Sequence, residues 1–291
     1  MSIPLRITLL STTAISASII QSVSEWCAQS HLRIDSIGES QKHGSIYSLV
    51  LLAEGILDKR QKNETRALAK QLSIDIICET AKQVDYKLAC FDMDSTLINA
   101  EVIDELAKEA GVGAEVSVIT ERAMQGALDF NESFKHRLAL LKGLDASVLD
   151  SVANRIAFNP GVESLMAALH QRDCKTVILS GGFDYFARRI QKRLGMYAIH
   201  ANALSIEGGQ LTGQAVEPIV NAERKAALLT EIAKEEGIER EAIIAVGDGA
   251  NDLSMLALAG LGVAYNAKPL VQERADHALN TVGLDGIIAL I

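Results

Sequence analysis

The chain has 291 residues, 48% of them hydrophobic and 4% aromatic, with a formal charge of −9. That length allows one large domain or two smaller ones, with cores built on Ala, Leu, Ile and Val. The composition excludes a disordered chain. The acidic balance argues against DNA or RNA as a partner, because most of this surface repels phosphates.

The first stretch, IPLRITLLSTTAISASII, carries one early Arg and an apolar run broken by Ser and Thr. Gln21 and Glu25 soon follow it. This is unlike an export signal, and no stretch approaches the roughly 18 apolar residues of a membrane span. Cys27, Cys78, Cys90 and Cys174 show no CxxC spacing. They read as reduced, buried thiols of a cytoplasmic protein, so neither a disulfide framework nor a zinc site is expected.

Residues 1–82 follow a β-α-β-β-α-β order. Strands are expected at 5–10, 31–37, 46–53 and 74–78, with helices at 14–29 and 57–72. Ile15, Ile19, Val23 and Trp26 line one side of the first helix. This order predicts a ferredoxin-like α+β sandwich. From residue 83 onward the pattern changes to short apolar strands at 88–91, 176–179, 243–246 and 261–264, each next to a helix-length segment. It predicts a Rossmann-like α/β unit, a parallel sheet covered on both faces. Residues 101–157 show helical but no strand signals and read as an inserted helical cap. HANALSIEGGQLTGQ places alternating strands about Gly208-Gly209, the mark of a β-hairpin flap. The basic helix in GGFDYFARRIQKRLG reads as a solvated face.

In YKLACFDMDSTLINAE an apolar strand runs into Asp92 and Asp94. Side chains two apart on extended chain point the same way, and open α/β sheets bind ligands beyond the carboxyl ends of their strands. Two carboxylates so close need a cation or a shared proton. A plain alternative is a pair of capping aspartates ahead of Ser95 and Thr96. A calcium loop fails, because Thr96, Leu97 and Ile103 stand where it needs Asp, Gly and Glu.

AVGDGANDLSML repeats the design: a strand ends on Asp248, with Asn251 and Asp252 following and Gly247 and Gly249 allowing tight turns. It lacks the third glycine of a dinucleotide fingerprint. Oxygen-only ligands favour Mg²⁺ over zinc or copper. VILSGGF ends a strand on Ser180, Gly181 and Gly182, a hydroxyl with free N–H groups that suits an anion. Lys225 opens the helix of NAERKAALL and could reach a phosphate as a point charge. Taken singly, each has a plain reading as a turn, a cap or an exposed lysine.

Jointly, DMDST, LSGG, Lys225 and GDGAND, in this order over about residues 86–291, resemble the haloacid-dehalogenase superfamily. DSTLINAEVIDELA, AMQGALDFNESFKHRLALLKGL and ANALSIEGGQLTG resemble its phosphoserine phosphatase branch. The resemblance implies hydrolysis of O-phosphoserine, the last step of serine biosynthesis, with Mg²⁺ as cofactor. Asp92 would be the nucleophile and Asp94 the general acid and base. Asp92, the backbone carbonyl of Asp94, and Asp248 would hold the metal, with Asp252 orienting that shell. Ser180, Gly181, Lys225 and Asn251 would hold the phosphoryl group. Glu101 would face the substrate ammonium, Arg137 its carboxylate, and Phe130 would wall off the site.

Residues 1–82 resemble ACT-type domains, which bind amino acids across a dimer. Their first strand-to-helix turn usually contains glycine, whereas LLSTTAISA has none, so a homodimerising or structural role is expected as much as serine binding. Two alternatives stay open: a phosphatase or phosphotransferase acting on phosphothreonine or phosphohomoserine, and a non-catalytic amino-acid sensor.

Overall fold

The computed structural model describes residues 3–124 and 128–291. Residues 125–127, inside the fragment AMQGALDF, lie outside them. The N-terminal unit consists of β1 (Ile3–Ser11), α1 (Ala17–Gln29), β2 (Arg33–Ile37), β3 (Gln41–His43), β4 (Ile46–Gly55), α2 (Lys59–Leu72) and β5 (Asp75–Thr80). Its antiparallel sheet has the order β2-β4-β1-β5, the spatial order expected of a β-α-β-β-α-β sandwich. Ser16 caps α1, accepting from the Ile19 N–H, so that helix starts later than its apolar pattern suggests. Asp58 and Gln61 close a capping box on α2. The short strand β3 pairs with β4 across Gly44; its exposed polar residues Gln41, Lys42 and His43 gave no strand signal. Ile7, Leu9, Val23, Trp26, Leu49 and Leu51 fill the core between sheet and helices.

The second unit opens with β6 (Leu88–Phe91). The cap follows as α3 (Val102–Glu109), α4 (Gly113–Met124), α5 (Phe130–Ala139) and α6 (Val148–Arg155). Then come α7 (Val162–His170), β7 (Lys175–Phe183), α8 (Asp184–Leu194) and β8 (Ala198–Asn202). The flap β9 (Leu204–Glu207) and β10 (Gln210–Ala215) precedes α9 (Ala222–Glu235), β11 (Ile243–Gly247), α10 (Leu253–Leu258), β12 (Leu261–Tyr265), α11 (Pro269–Arg274) and β13 (His277–Leu279). A 3₁₀ segment, Leu284–Leu290, follows. The parallel sheet runs β13-β12-β11-β6-β7-β8. Its two edge strands had no place in the sequence pattern: β8 looked like part of the flap, and β13 is only three residues long.

Along β6, Ala89 and Phe91 face the core shared with the cap and α7, while Leu88 and Cys90 face the core shared with α9 and α10. This burial on both faces explains the continuous apolar runs. Met166 and Met255 are core residues. The four cysteines are free thiols. Among the described residues no helix is long and apolar enough to cross a membrane.

The two units share packing. Leu10, Ile46 and Ile77 of the first join the core of the second. The Arg6 guanidinium donates to the Ala289 carbonyl, and Lys62 pairs with Asp276. The Asp75 carboxylate, 2% exposed, accepts the backbone N–H groups of Asn280, Thr281 and Val282. Burial raises its pKa, opposed by these three bonds. Removing the acceptor strands three donors at the junction. Asp75→Ala is therefore expected to lower stability by about 2–4 kcal/mol in urea unfolding. Hydrogen exchange should show loss of protection first at residues 280–282; an unchanged midpoint would mean the junction does not depend on this carboxylate.

Candidate active site

The chemistry gathers where β6 and β11 end side by side. The Asp92 N–H donates to the Val246 carbonyl at 2.9 Å, carrying the ladder one residue past β6. Asp92 Oδ1 accepts from the Met93 N–H at 2.7 Å and lies 2.9 Å from Lys225 Nζ. Lys225 is fully buried and also contacts Asp252 Oδ1 at 2.7 Å. Its place on the first turn of α9 follows from Asn221, which caps the helix by accepting from the Arg224 N–H. Asp252 Oδ2 accepts from the Gly249 N–H at 2.9 Å. Gly247 must be glycine here, since a Cβ would lie 2.4 Å from Asp252 Cγ.

Charge at this edge is unbalanced. Burial, then Asp92, Asp252 and Glu101, push Asp248 up to about 8, although it accepts from Thr96 Oγ1 at 3.1 Å. Burial and Asp92 push Asp252 up to about 6, restrained by Lys225. Burial disfavours the charged Lys225, but Asp252 and Asp92 outweigh it and raise its pKa. One carboxylate oxygen from each of Asp92, Asp248 and Asp252 lies within 4.8 Å of the others. These hard oxygen donors, crowded and desolvated, fit a divalent cation, which would relieve their repulsion. Both oxygens of Asp252 already accept hydrogen bonds, which leaves Asp92 and Asp248 the freer ligands.

Asp94 differs from Asp92. Its Oδ1 is buried with no hydrogen-bond partner. Burial, then Glu101 and Asp92, raise its pKa well above the carboxylate range, against Lys225 and the Val102 N–H. On its other side, Gly182 leaves the room it needs: a Cβ there would lie 2.7 Å from Asp94 Oδ2. Ser180 is buried, and its Oγ accepts from the Gly182 N–H at 2.9 Å.

A cavity of about 660 Å³ joins these groups to the cap. Asp92, Asp94, Ser180, Gly181, Asp248 and Asn251 line its sheet side; Glu101, Phe130 and Arg137 line its cap side. Of the expected site residues, Lys225 and Asp252 are not on the wall; both are fully buried behind Asp92. Glu101 sits at the mouth, where Ser95 Oγ donates to its Oε1 at 2.7 Å. Burial raises its pKa, as do Asp92 and Asp104, against the Ser95 bond. Asp129 and Glu132 form a capping box that starts α5 at Phe130. The Phe130 ring stacks on Phe134, with centroids 6.2 Å apart. Arg137 Nε donates to the Ser133 carbonyl at 3.3 Å. Burial lowers the Arg137 pKa, opposed by Asp104, Glu101 and Asp94.

Three supporting residues escaped sequence reading. Asn159 Nδ2 donates to the carbonyls of Ser95, Thr96 and Ile98, pinning the turn in which Ser95 takes φ +57°. Asn202 Nδ2 donates to the Gly181 carbonyl at 2.8 Å, and its Oδ1 accepts from the Val220 N–H at 2.8 Å. It thereby ties the Ser180 turn to the entry of α9. Thr96 braces Asp248. Thr96 stands inside the DMDST motif and could have been weighed as more than a turn residue; a lone Asn in a loop carries no spacing to read. A second cavity, of about 610 Å³, lies between the two units beside Lys62, Arg66 and Asp276, away from these carboxylates.

A parallel sheet that ends on paired carboxylates, beneath a helical cap, defines a hydrolase of the haloacid-dehalogenase type. Residues 86–260 match the haloacid dehalogenase-like hydrolases, and the chain belongs to that family. It is 44% identical to a phosphoserine phosphatase of Archaeoglobus fulgidus over 234 residues, covering 79% of this chain and 68% of that one. A crystal structure of a HAD-family hydrolase from Salmonella enterica serovar Typhi matches 99% of this chain and 98% of its own, with TM-score 0.88 and 32% identity. A probable phosphoserine phosphatase from Vibrio cholerae matches 98% of this chain and 85% of its own, with TM-score 0.80 and 33% identity. Both matches extend over the N-terminal unit.

The carboxylates give a pH test. A carboxyl whose folded pKa exceeds its unfolded value binds extra protons in the native state, so its contribution is complete only below the unfolded pKa and is lost as pH rises. For Asp252 and Asp248 the loss runs from the ordinary 3.8 through about 6 and about 8. Cation-free protein should lose stability over this window, by up to about 1.4 kcal/mol per pH unit per group. Added Mg²⁺ should raise Tm much more at pH 8 than at pH 5; an equal rise at both would place the ion elsewhere.

Proposed function

We propose that this chain hydrolyses O-phospho-L-serine to L-serine and phosphate, with Mg²⁺ as cofactor, as the closing step of serine biosynthesis in the cytoplasm. The observation that carries the reading is one cavity with Asp92 and Asp94 on its sheet side and Glu101 and Arg137 on its cap side. The phosphoserine phosphatases among its relatives support the same substrate, and the free thiols suit a reducing compartment.

An Asp92 carboxylate oxygen attacks phosphorus while the bond from phosphorus to the serine oxygen breaks, giving an aspartyl-phosphate. Asp94 passes its proton to the departing serine oxygen. As a carboxylate it then takes a proton from water, whose oxygen attacks phosphorus and frees Asp92. Ser180 Oγ and the Gly181 N–H hold the phosphoryl oxygens, with Asn251 beside them and Lys225 acting from behind Asp92. Lys225 offsets the charge that Asp92 and Asp252 would otherwise set against a phosphate. Glu101 takes the substrate ammonium, Arg137 takes the carboxylate through its planar fork, and Phe130 limits water. Asp92, the Asp94 backbone carbonyl and Asp248 would hold Mg²⁺, with Asp252 orienting these ligands. Mg²⁺ when bound supplies charge neutralisation between the phosphate and these acids.

Residues 1–82 form an ACT-like unit in this reading, suited to pairing two copies through surfaces that expose Ile3, Ile37 and Leu52. Sedimentation of the full chain tests this; a monomer throughout the micromolar range would rule the pairing out.

Phosphate release should require Mg²⁺ and stop with chelator. Phosphoserine should exceed phosphothreonine and phosphohomoserine in kcat/KM; equal values would widen the substrate class. Asp92→Asn should abolish turnover with Tm little changed, and substantial residual turnover would point to another nucleophile. Arg137→Ala should raise KM for phosphoserine roughly 10- to 100-fold and leave p-nitrophenyl phosphate nearly untouched. Equal damage to both would remove the carboxylate role.

A further inference from the structure

The helix that carries Phe130 and Arg137 places one more polar residue along the same cavity. Ser133 is 1% exposed, lines the cavity, and its Oγ has no hydrogen-bond partner. A serine within a helix can satisfy its hydroxyl on the carbonyl four residues back. Here only the Ser133 backbone N–H uses the Asp129 carbonyl, at 3.0 Å. A buried hydroxyl left unpaired is costly, and the residues around this one say what would pair it. Among the described residues, the other buried side-chain polar atoms without partners are Thr8 Oγ1, Trp26 Nε1 and Ser30 Oγ, all in the N-terminal unit, and Asp94 Oδ1, which has a part in the proposed reaction.

Phe130, Ser133 and Arg137 stand at i, i+3 and i+7, so they share one face of α5. Ser133 lies one turn before Arg137, and its own carbonyl accepts from Arg137 Nε. That bond commits Nε and leaves both terminal NH₂ groups of the guanidinium for a ligand; among the described residues, no other hydrogen bond is drawn from it. A carboxylate held by those two groups keeps spare lone pairs. We propose that Ser133 Oγ donates to the substrate carboxylate bound by Arg137, which makes Ser133 a specificity-determining residue for α-carboxylate-bearing phosphomonoesters. The hydroxyl and the guanidinium then form a single two-residue subsite, fixed in spacing by one helical turn and by the bond between them. The inference rests on the phosphoserine reading above and adds a residue to it.

The test compares three substrates on the full chain with Mg²⁺: phosphoserine, phosphoethanolamine, which keeps the ammonium but lacks the carboxylate, and p-nitrophenyl phosphate. Ser133→Ala should raise KM for phosphoserine roughly tenfold with kcat nearly unchanged, and should leave kcat/KM for the other two within about twofold. Ser133→Thr, which keeps a hydroxyl, should recover most of the phosphoserine loss. A parallel loss on all three substrates would make Ser133 a packing residue. A loss shared by phosphoserine and phosphoethanolamine alone would assign the hydroxyl to the ammonium. No loss at all would overturn the subsite while leaving the phosphoserine reading intact, whereas a parent enzyme indifferent to phosphoserine would bring down both.

Discussion

The site depends on one buried cation. Lys225 is wholly enclosed and touches Asp92 at 2.9 Å and Asp252 at 2.7 Å. Without it, the ends of β6 and β11 would confront each other with carboxylates in a desolvated space, at a cost of several kcal/mol per uncompensated ion. With it, two segments 160 positions apart in sequence can share one edge, residue 92 on one and residue 252 on the other. The lysine is itself held by α9, whose start is capped by Asn221 and whose approach is tied to the Ser180 turn through Asn202. The compensation is incomplete, since Asp248 and Asp252 keep raised pKa values. The remaining excess of negative charge is what a divalent cation at this edge would neutralise.

The same geometry separates two carboxylates that the sequence places only two residues apart. Asp92 has an ammonium and a backbone N–H on one oxygen. Asp94 has a buried oxygen with no partner, and neighbours that are mostly acidic. One is therefore paired with a cation and the other left desolvated among acids, which suits the two different roles that a displacement on phosphorus with proton transfer to the leaving oxygen needs. The division comes from surroundings alone: both side chains leave the same strand end, and Gly182 gives Asp94 the room to keep its own.

Much of this was readable beforehand, for a physical reason. Strands buried on both faces must be apolar, so β6, β7, β11 and β12 stood out, and their polar ends could be read as a ligand edge. The cap was legible because helical spacing over 101–157 has no rival pattern. The edge strands β8 and β13 were not legible: each has one neighbour, needs little apolar surface, and is short. In the site, residues grouped in motifs were found, while Asn159 and Asn202 were not. Their function is to donate or accept at backbone groups distant in sequence, and a single amide side chain leaves no periodicity or spacing. The orphaned hydroxyl of Ser133 was equally invisible, since a serine on a helix usually finds the carbonyl behind it.

Chemistry and recognition are carried by different parts of the fold. The sheet edge holds Asp92, Asp94, Asp248 and Ser180, locked by strand pairing, by Lys225 and by two asparagine clamps. Helix α5 holds Phe130, Ser133 and Arg137, and its C-terminal end meets the flap. There Gly213, at φ +73°, approaches so closely that a Cβ would lie 2.9 Å from Lys142 Cβ and 3.2 Å from the Ala139 carbonyl. The backbone bonds from Gly143 to Leu211 and from Ala146 to Gly209 fasten the same contact. The flap therefore packs against the C-terminal end of α5 and the loop that follows it, far from the carboxylates. In the proposed reading, a change at the strand ends would alter how fast a phosphoryl group moves. In the same reading, a change in α5 or in the flap would alter which amino acid is allowed to carry that group.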